Sequence, residues 1–295
     1  MKASYIKLYE TGKLKQRVDF FIKSLEKCNL CPHNCGVNRL KNEKGFCKTG
    51  RYAIISSFFP HHGEELPIRG YNGSGTIFFS NCNLRCVYCQ NYDISQLGHG
   101  EEFTPEELAD AMLYLQAQGC HNINLVTPSN VVSQFMEALL IAVKKGLYIP
   151  IVYNTSSYDS ELTLNKLQGI IDIYLPDLKY SDNEIAYKYS KVKNYFDIAK
   201  KSIKIMHSQV GDLKVNSQGI AEKGVLVRHL VLPNDISGTE KVIKFLKSVS
   251  PKMAVNIMAQ YHPCYKAFEY PELSRRITEK EFNRALKLAE GLILY

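Results

Sequence analysis

No run of apolar residues in this 295-residue chain comes near the roughly 20 that a membrane-spanning helix needs, so such a helix is excluded and no membrane partner is expected. The opening segment MKASYIKLYE lacks the continuous apolar stretch of a secretory signal, and a cytoplasmic protein is expected. Internal repeats and low-complexity tracts are missing too. Isolated cysteines are scarce: of nine, only Cys120 and Cys264 stand apart, and small buried apolar side chains are the default expectation for both. The other seven fall into two close-spaced sets, which in an intracellular chain points to metal binding rather than disulfides. With 45% hydrophobic and 22% charged residues the chain has ample material for a core, as one large α/β domain or such a domain plus a small module. The net charge of +8 speaks to partners and solubility, not to fold. Its densest part is Lys188, Lys191, Lys193, Lys200, Lys201 and Lys204, either a solvated face or a surface for an acidic partner such as RNA or a reductase.

The most telling absence is a fourth cysteine. Cys82-Asn83-Leu84-Arg85-Cys86-Val87-Tyr88-Cys89 spaces three cysteines as C-x3-C-x2-C, directly after the apolar run Thr76-Ile77-Phe78-Phe79-Ser80. Three thiolates can hold only three irons of a cubane [4Fe–4S] cluster. A ferredoxin would close the cluster with a fourth, so an open iron argues for a cluster that binds something. S-adenosylmethionine (SAM) can chelate such an iron through its amino and carboxylate groups, and an electron from the reduced cluster then cleaves its S–C5′ bond to a 5′-deoxyadenosyl radical. The segment resembles the signature of radical SAM enzymes. Three unrelated core or zinc cysteines are the competing reading, against which spacing, the preceding strand and the aromatic Tyr88 agree.

Beyond residue 73, short β-rich runs alternate with helical patterns. Strands are expected at 75–80, 122–127, 149–154, 171–177, 225–232 and 253–260. Thr104, Pro105 and Glu107 spell a capping box, with Leu108, Met112 and Leu115 as one apolar stripe behind it. A second helix is expected from Asn130 to Lys145, stopped by Gly146, and a third over 195–210, with a turn or short hairpin over 213–221. Strand–helix alternation repeated six times predicts a parallel sheet with right-handed crossovers. Six units are too few for a closed eight-stranded barrel, so the expected fold class is α/β, a partial (β/α)6 barrel over 53–295 including a C-terminal extension, with its chemistry at the C-terminal strand ends. Residues 1–52 are expected to form a separate small module: a basic amphipathic helix from about Leu14 to Lys27, then Cys28, Cys31, Cys35 and Cys47. These four suffice for a tetrathiolate site holding structural zinc or a second [4Fe–4S] cluster, a staple for a segment with little apolar content. His33 is either a replacement ligand or a solvent-facing loop residue.

Most of the chain resembles PflX-type radical SAM proteins, relatives of pyruvate formate-lyase activating enzyme. The resemblance rests on His61-His62-Gly63-Glu64-Glu65-Leu66-Pro67-Ile68, on 73–91 around the three cysteines, and on Cys28-Asn29-Leu30-Cys31-Pro32. Asn124-Leu125-Val126-Thr127-Pro128, Leu175-Pro176-Asp177-Leu178-Lys179-Tyr180 and Tyr270-Pro271-Glu272-Leu273-Ser274-Arg275-Arg276 extend it. By this resemblance Cys82, Cys86 and Cys89 hold the catalytic cluster and Tyr88 lies beside the adenine. The Gly-Gly-Glu-like turn of the activating enzymes is replaced by Thr127-Pro128-Ser129-Asn130, which leaves the SAM amino group to backbone carbonyls or to the Thr127 and Ser129 hydroxyls. Asn154-Thr155 stands near the ribose where relatives carry Asp-Thr. Asp177 and Lys179 reach SAM or the substrate backbone, or form a structural salt bridge. Arg228 grips the SAM carboxylate, a planar anion suited to a guanidinium fork, or makes an ion pair inside the barrel. Tyr261 and His262 line the mouth, and His61, His62, Glu64 and Glu65 form a metal-binding loop or a lid near the cluster.

The implied activity is hydrogen abstraction from a protein or peptide, as glycyl-radical activases perform, with a flavodoxin- or ferredoxin-type reductant. Radical modification of RNA or of a small metabolite is the alternative. A non-catalytic iron–sulfur electron carrier or zinc scaffold is the third reading, against which the missing cysteine speaks.

Overall fold

The computed structural model describes residues 3–295. Ten strands form one sheet: β1 (Ala53–His61), β2 (Ser74–Phe79), β3 (Glu101–Phe103), β4 (Ile123–Val126), β5 (Ile151–Thr155), β6 (Ile173–Pro176), β7 (Lys214–Val215), β8 (Ala221–Leu230), β9 (Ala254–Met258) and β10 (Ile293–Leu294). The helices are α1 (Tyr5–Glu10), α2 (Lys13–Lys23), α3 (Leu66–Arg69), α4 (Tyr92–Ser95), α5 (Pro105–Ala117), α6 (Val132–Lys144), α7 (Glu161–Leu167), α8 (Asn183–Ser190), α9 (Tyr195–Val210), α10 (Thr239–Val249) and α11 (Glu279–Ala289). Among the described residues no helix is long and apolar enough to cross a membrane.

Strand order is β10-β9-β8-β6-β5-β4-β2-β1-β3, with β7 pairing β8 as the expected hairpin. The six predicted strands are β2, β4, β5, β6, β8 and β9, all parallel to one another. The path ends on β3 at one side and β10 at the other, so the barrel stays open. Both β1 and β3 were missed by the sequence reading. They run antiparallel beyond β2, and β1 is interrupted by a bulge between Ile55 and Ser57 that breaks the period-2 pattern.

Alternation along the strands separates two interiors. Ile123, Leu125, Ile151, Tyr153, Tyr174, Val225, Val227, Val255 and Ile257 point out to the helices and belong to the main core. On the other face Val152, Ile173, Leu175, Leu226 and Ala254 pack around Ile68 of α3, which is fully buried. Helix α5 opens with the expected capping box: Thr104 Oγ1 accepts from Glu107 N at 3.2 Å and Glu107 Oε2 accepts from Thr104 N at 2.8 Å. Thr104→Ala should therefore lower stability by about 1 kcal/mol, read as a fall in urea midpoint at unchanged slope.

The first fifty residues are not poor in core. Tyr5, Leu14, Val18, Phe21, Leu25 and Leu30 are buried in the same cluster as the barrel's outer strand faces, and α2 packs on α6. Burying each of the larger apolar side chains contributes about 1.5–3 kcal/mol. Polar ties reinforce this seam. Tyr5 OH donates to Ile149 O at 2.8 Å, buried Arg39 donates to Asn130 O at 2.8 Å, and Thr163 Oγ1 donates to Leu30 O at 2.7 Å. The core is thus continuous across residue 52.

Candidate active site

The three-cysteine loop leaves the C-terminal end of β2 through Asn81, which takes a left-handed φ of 68°. Its backbone is pinned from several directions. Arg85 N donates to Ser190 O at 2.9 Å, Val87 N to Tyr189 O at 2.8 Å, and Lys266 N to Val87 O at 2.9 Å. Buried Leu84 and Val87 anchor it from beneath. Each sulfur has one donor-capable neighbour: Leu84 N at 3.3 Å from Cys82 Sγ, Ser190 Oγ at 3.0 Å from Cys86 Sγ, and Ser95 Oγ at 3.0 Å from Cys89 Sγ. Cys264, expected as an inert buried side chain, is half-buried behind the loop, where its thiol donates to Tyr88 O and Cys89 O.

Burial pushes the Cys82 thiol up to about 12 and the Cys86 thiol to about 11, with the neighbouring cysteines adding to both. Such thiols stay protonated by themselves; a bound cation deprotonates them outright. Among the described residues no three Cys, His, Asp or Glu side chains are preset for a single metal ion. A cubane spreads its thiolates wider than one ion does, and the donor set fits it: three converging sulfurs, each with one hydrogen-bond donor, in a largely dry loop.

Inside the barrel the inner strand faces turn polar above the apolar layer around Ile68. Arg228 Nε donates to Asp177 Oδ1 at 2.8 Å, Nη2 to Asn154 Oδ1 at 2.6 Å, and Nη1 lies 3.4 Å from Glu64 Oε2. Lys179 Nζ pairs with Asp177 Oδ2 at 2.6 Å. Burial alone would raise Asp177, but Arg228 and Lys179 outweigh it and hold the carboxyl below its usual range. For Glu64 burial wins, and its carboxyl is raised despite Arg228. Burial works against the Lys179 charge, yet Asp177 and Cys86 more than offset it and raise the ammonium.

Glu64 and Glu65 do not form a lid near the cysteines. His61 pairs with Ser74 at the start of β2, the end opposite the cysteine loop. From there Glu64 accepts from Asn124 Nδ2 at 3.0 Å and Glu65 from Asn256 Nδ2 at 2.9 Å, closing the barrel floor together with α3. Glu65 Oε2, Asn124 Oδ1 and His61 Nδ1 are buried there without hydrogen-bond partners, although His61 Nδ1 lies 3.8 Å from Glu64 Oε1.

Among the other predicted residues, Ser129 and Thr155 meet elsewhere. Their hydroxyls donate to buried Asp159, at 2.7 and 2.6 Å, and Tyr153 OH joins at 3.0 Å on the outer side of β5. Asp159 left no signal in the sequence. Thr127 adopts φ 65°, a strained conformation for a β-branched residue of about 1–3 kcal/mol, where β4 turns into the following loop. Tyr261 is buried and donates to Leu273 O at 2.6 Å, while His262 is half-buried beside Gln90. Asn124 was also passed over, although a buried asparagine amid INLV on an inner strand face is a readable anomaly.

Cys28, Cys31 and Cys47 are buried and Cys35 is exposed. Burial, reinforced by Cys47, Cys28 and Cys35, raises the Cys31 thiol to about 12, which places the four within one electrostatic neighbourhood. His33 is not solvent-facing. Its Nε2 bonds Asn83 O at 2.7 Å and its ring stacks on Phe46 at 3.8 Å. Arg85 lies over the same Phe46 ring and donates to Phe46 O. The two cysteine loops are therefore docked directly on one another.

The model for the Radical SAM superfamily matches residues 76–246. The uncharacterized protein MJ0674 of Methanocaldococcus jannaschii is 36% identical over 287 residues, spanning 94% of this chain and 78% of that protein. The pyruvate formate-lyase-activating enzyme of Clostridium pasteurianum is 27% identical over 175 residues, 57% of this chain and 66% of its own. Among solved structures, methylornithine synthase superposes with a TM-score of 0.50 at 19% identity, over 74% of this chain and 63% of that one, a likeness of fold.

Proposed function

The chain belongs to the Radical SAM superfamily, and on that premise we propose that it uses Cys82, Cys86 and Cys89 to generate a 5′-deoxyadenosyl radical for hydrogen abstraction from a protein or peptide substrate. The supporting observation is the loop after β2, whose three sulfurs each meet one donor while Cys264 faces the carbonyls behind it. When bound there, a [4Fe–4S] cluster supplies the electron that breaks the S–C5′ bond of SAM. The chain's own residues orient and neutralise. Lys179 brings a positive charge beside Cys86, and Tyr88 supplies the aromatic wall for the adenine. Asn154, Asp177 and Arg228 present one connected polar surface on the inner strand faces, and the strained turn at Thr127 offers backbone carbonyls to the SAM amino group. Because Ser129 and Thr155 are tied to Asp159, their part is to hold β5 and the turn after β4 in register.

The reading as a protein or peptide modifier draws on the activating-enzyme relative and on the lysine face. Lys188, Lys200 and Lys201 are paired with Glu272, Asp197 and Glu161, which leaves less free charge for RNA than the sequence suggests. A flavodoxin- or ferredoxin-type protein is the proposed reductant. The test uses extract from cells grown in deuterated medium, split into macromolecular and small-molecule fractions and offered to the reduced enzyme with SAM. Deuterium should pass into 5′-deoxyadenosine from the protein fraction; transfer only from small molecules or RNA would overturn this substrate class.

We further propose that Cys28, Cys31, Cys35 and Cys47 hold a second metal, zinc or an iron–sulfur cluster. A protein with Cys82, Cys86 and Cys89 all replaced by alanine should retain either one zinc per chain without labile sulfide or about four irons with matching sulfide. Finding neither after anaerobic reconstitution would refute the site.

A further inference from the structure

Behind Cys86 lies a line of buried hydroxyls that the proposed chemistry leaves unused. Tyr88 OH donates to Tyr180 OH at 2.6 Å, Tyr180 OH lies 2.7 Å from Ser190 Oγ, and Ser190 Oγ lies 3.0 Å from Cys86 Sγ. Tyr180 and Ser190 are fully buried and Tyr88 nearly so. A ligating Cys86 is a thiolate and can only accept. Its one hydroxyl neighbour must then donate to it, which makes Ser190 accept from Tyr180 and Tyr180 accept from Tyr88. Every hydroxyl in the line thus points its proton toward the sulfur, an arrangement in which each bond polarises the next. Cys82 and Cys89 have shorter support: a single backbone N–H for Cys82, and for Cys89 a serine that accepts from the Gln96 amide.

We propose that the Tyr88–Tyr180–Ser190 line is a potential-setting device for the cluster held by Cys86, with Ser190 and Tyr180 acting as positioning residues through that sulfur. The inference rests on the assignment of Cys86 as a cluster ligand. The couple concerned takes one electron from the external reductant, carrying the cluster from 2+ to 1+, with no proton transferred and no bond broken. Reduction adds negative charge to the sulfurs, so donors aimed at Cys86 stabilise the reduced form more than the oxidised one, and hydrogen bonds to the sulfurs are among the factors that set such potentials. The device was invisible in the sequence because Ser190 stands 104 positions from Cys86 and only the end of α8 brings them together.

The experiment is an EPR-monitored redox titration of the anaerobically reconstituted full chain, without SAM, in wild type, Ser190→Ala, Ser190→Thr and Tyr180→Phe. Ser190→Ala should lower the midpoint so that the reduced-to-oxidised ratio at fixed potential falls about tenfold, ~59 mV for one electron. Tyr180→Phe keeps the ring and the final donor and should move the midpoint the same way by less; Ser190→Thr should restore it. Full cluster loading with an unmoved midpoint in both Ser190→Ala and Tyr180→Phe overturns the proposal. If Ser190→Ala fails to load, Tyr180→Phe alone decides on the same criterion. A wild-type chain that loads no cluster at the three cysteines refutes the ligand assignment and this proposal with it, a result distinct from an unmoved midpoint.

Discussion

Alanine at any one of Cys82, Cys86 or Cys89 should bring formation of 5′-deoxyadenosine and methionine from SAM down to the level of the reductant alone. With only three thiols on the loop, each removal takes away one of the three proposed cluster ligands. Cys264 lies behind the loop, and its thiol is turned to the Tyr88 and Cys89 carbonyls. Cys264→Ala and Cys120→Ala should therefore leave SAM cleavage largely intact. Chromatography of anaerobic, dithionite-reduced reactions measures both products directly. Sustained turnover in all three loop variants would remove the basis for radical chemistry here.

The largest loss of stability should come from Arg228. Its guanidinium is engaged on three sides by Asp177, Asn154 and Glu64, so a SAM carboxylate would have to share it rather than find it free. Arg228→Met keeps much of the volume but takes the guanidinium from Glu64 and leaves Asp177 to Lys179 alone, a change of about 3 kcal/mol, the lower end for a broken buried pair. The pH dependence gives the cause away. In the wild type Asp177 is held below its unfolded value, so its contribution is present above roughly pH 4 and fades as pH falls through the lower folded value. In the variant Glu64, already raised by burial, rises further, and a raised acid is at its most favourable below its unfolded value and loses ground as pH climbs through the folded one. Between pH 7.5 and pH 5 the Glu64 movement narrows the gap between the proteins; the Asp177 movement adds to it only below about pH 4. Urea denaturation should show a smaller deficit near pH 5 than at pH 7.5; an equal deficit would mean that packing rather than charge dominates.

The alternation of apolar runs and helical stripes was enough to place all six parallel strands and the open barrel, because a strand buried on both faces is written almost wholly in branched and aromatic residues. Antiparallel β1 escaped because its bulge and its closing Pro60-His61 read as loop, and its pairing with β2 is decided only once β2 exists. The site shows the same division. Three cysteines at fixed spacing announce themselves locally, as does the Thr104 capping box. Ser95, Ser190 and Asp159 act through partners fixed by tertiary packing, and serine or aspartate after a helix or strand is ordinary loop chemistry. His33 was misjudged for that reason: nothing in Cys31-Pro32-His33 indicates that Asn83 waits 50 positions away.

The closed floor of the barrel has a consequence for traffic. With Glu64, Glu65 and Ile68 sealing one end, entry along the barrel axis is left to the end that carries the cysteine loop. Under the proposed function, SAM at the cysteine loop and the substrate would both approach from that end. The later arrival would then cover the earlier one and shield a radical formed behind it from water.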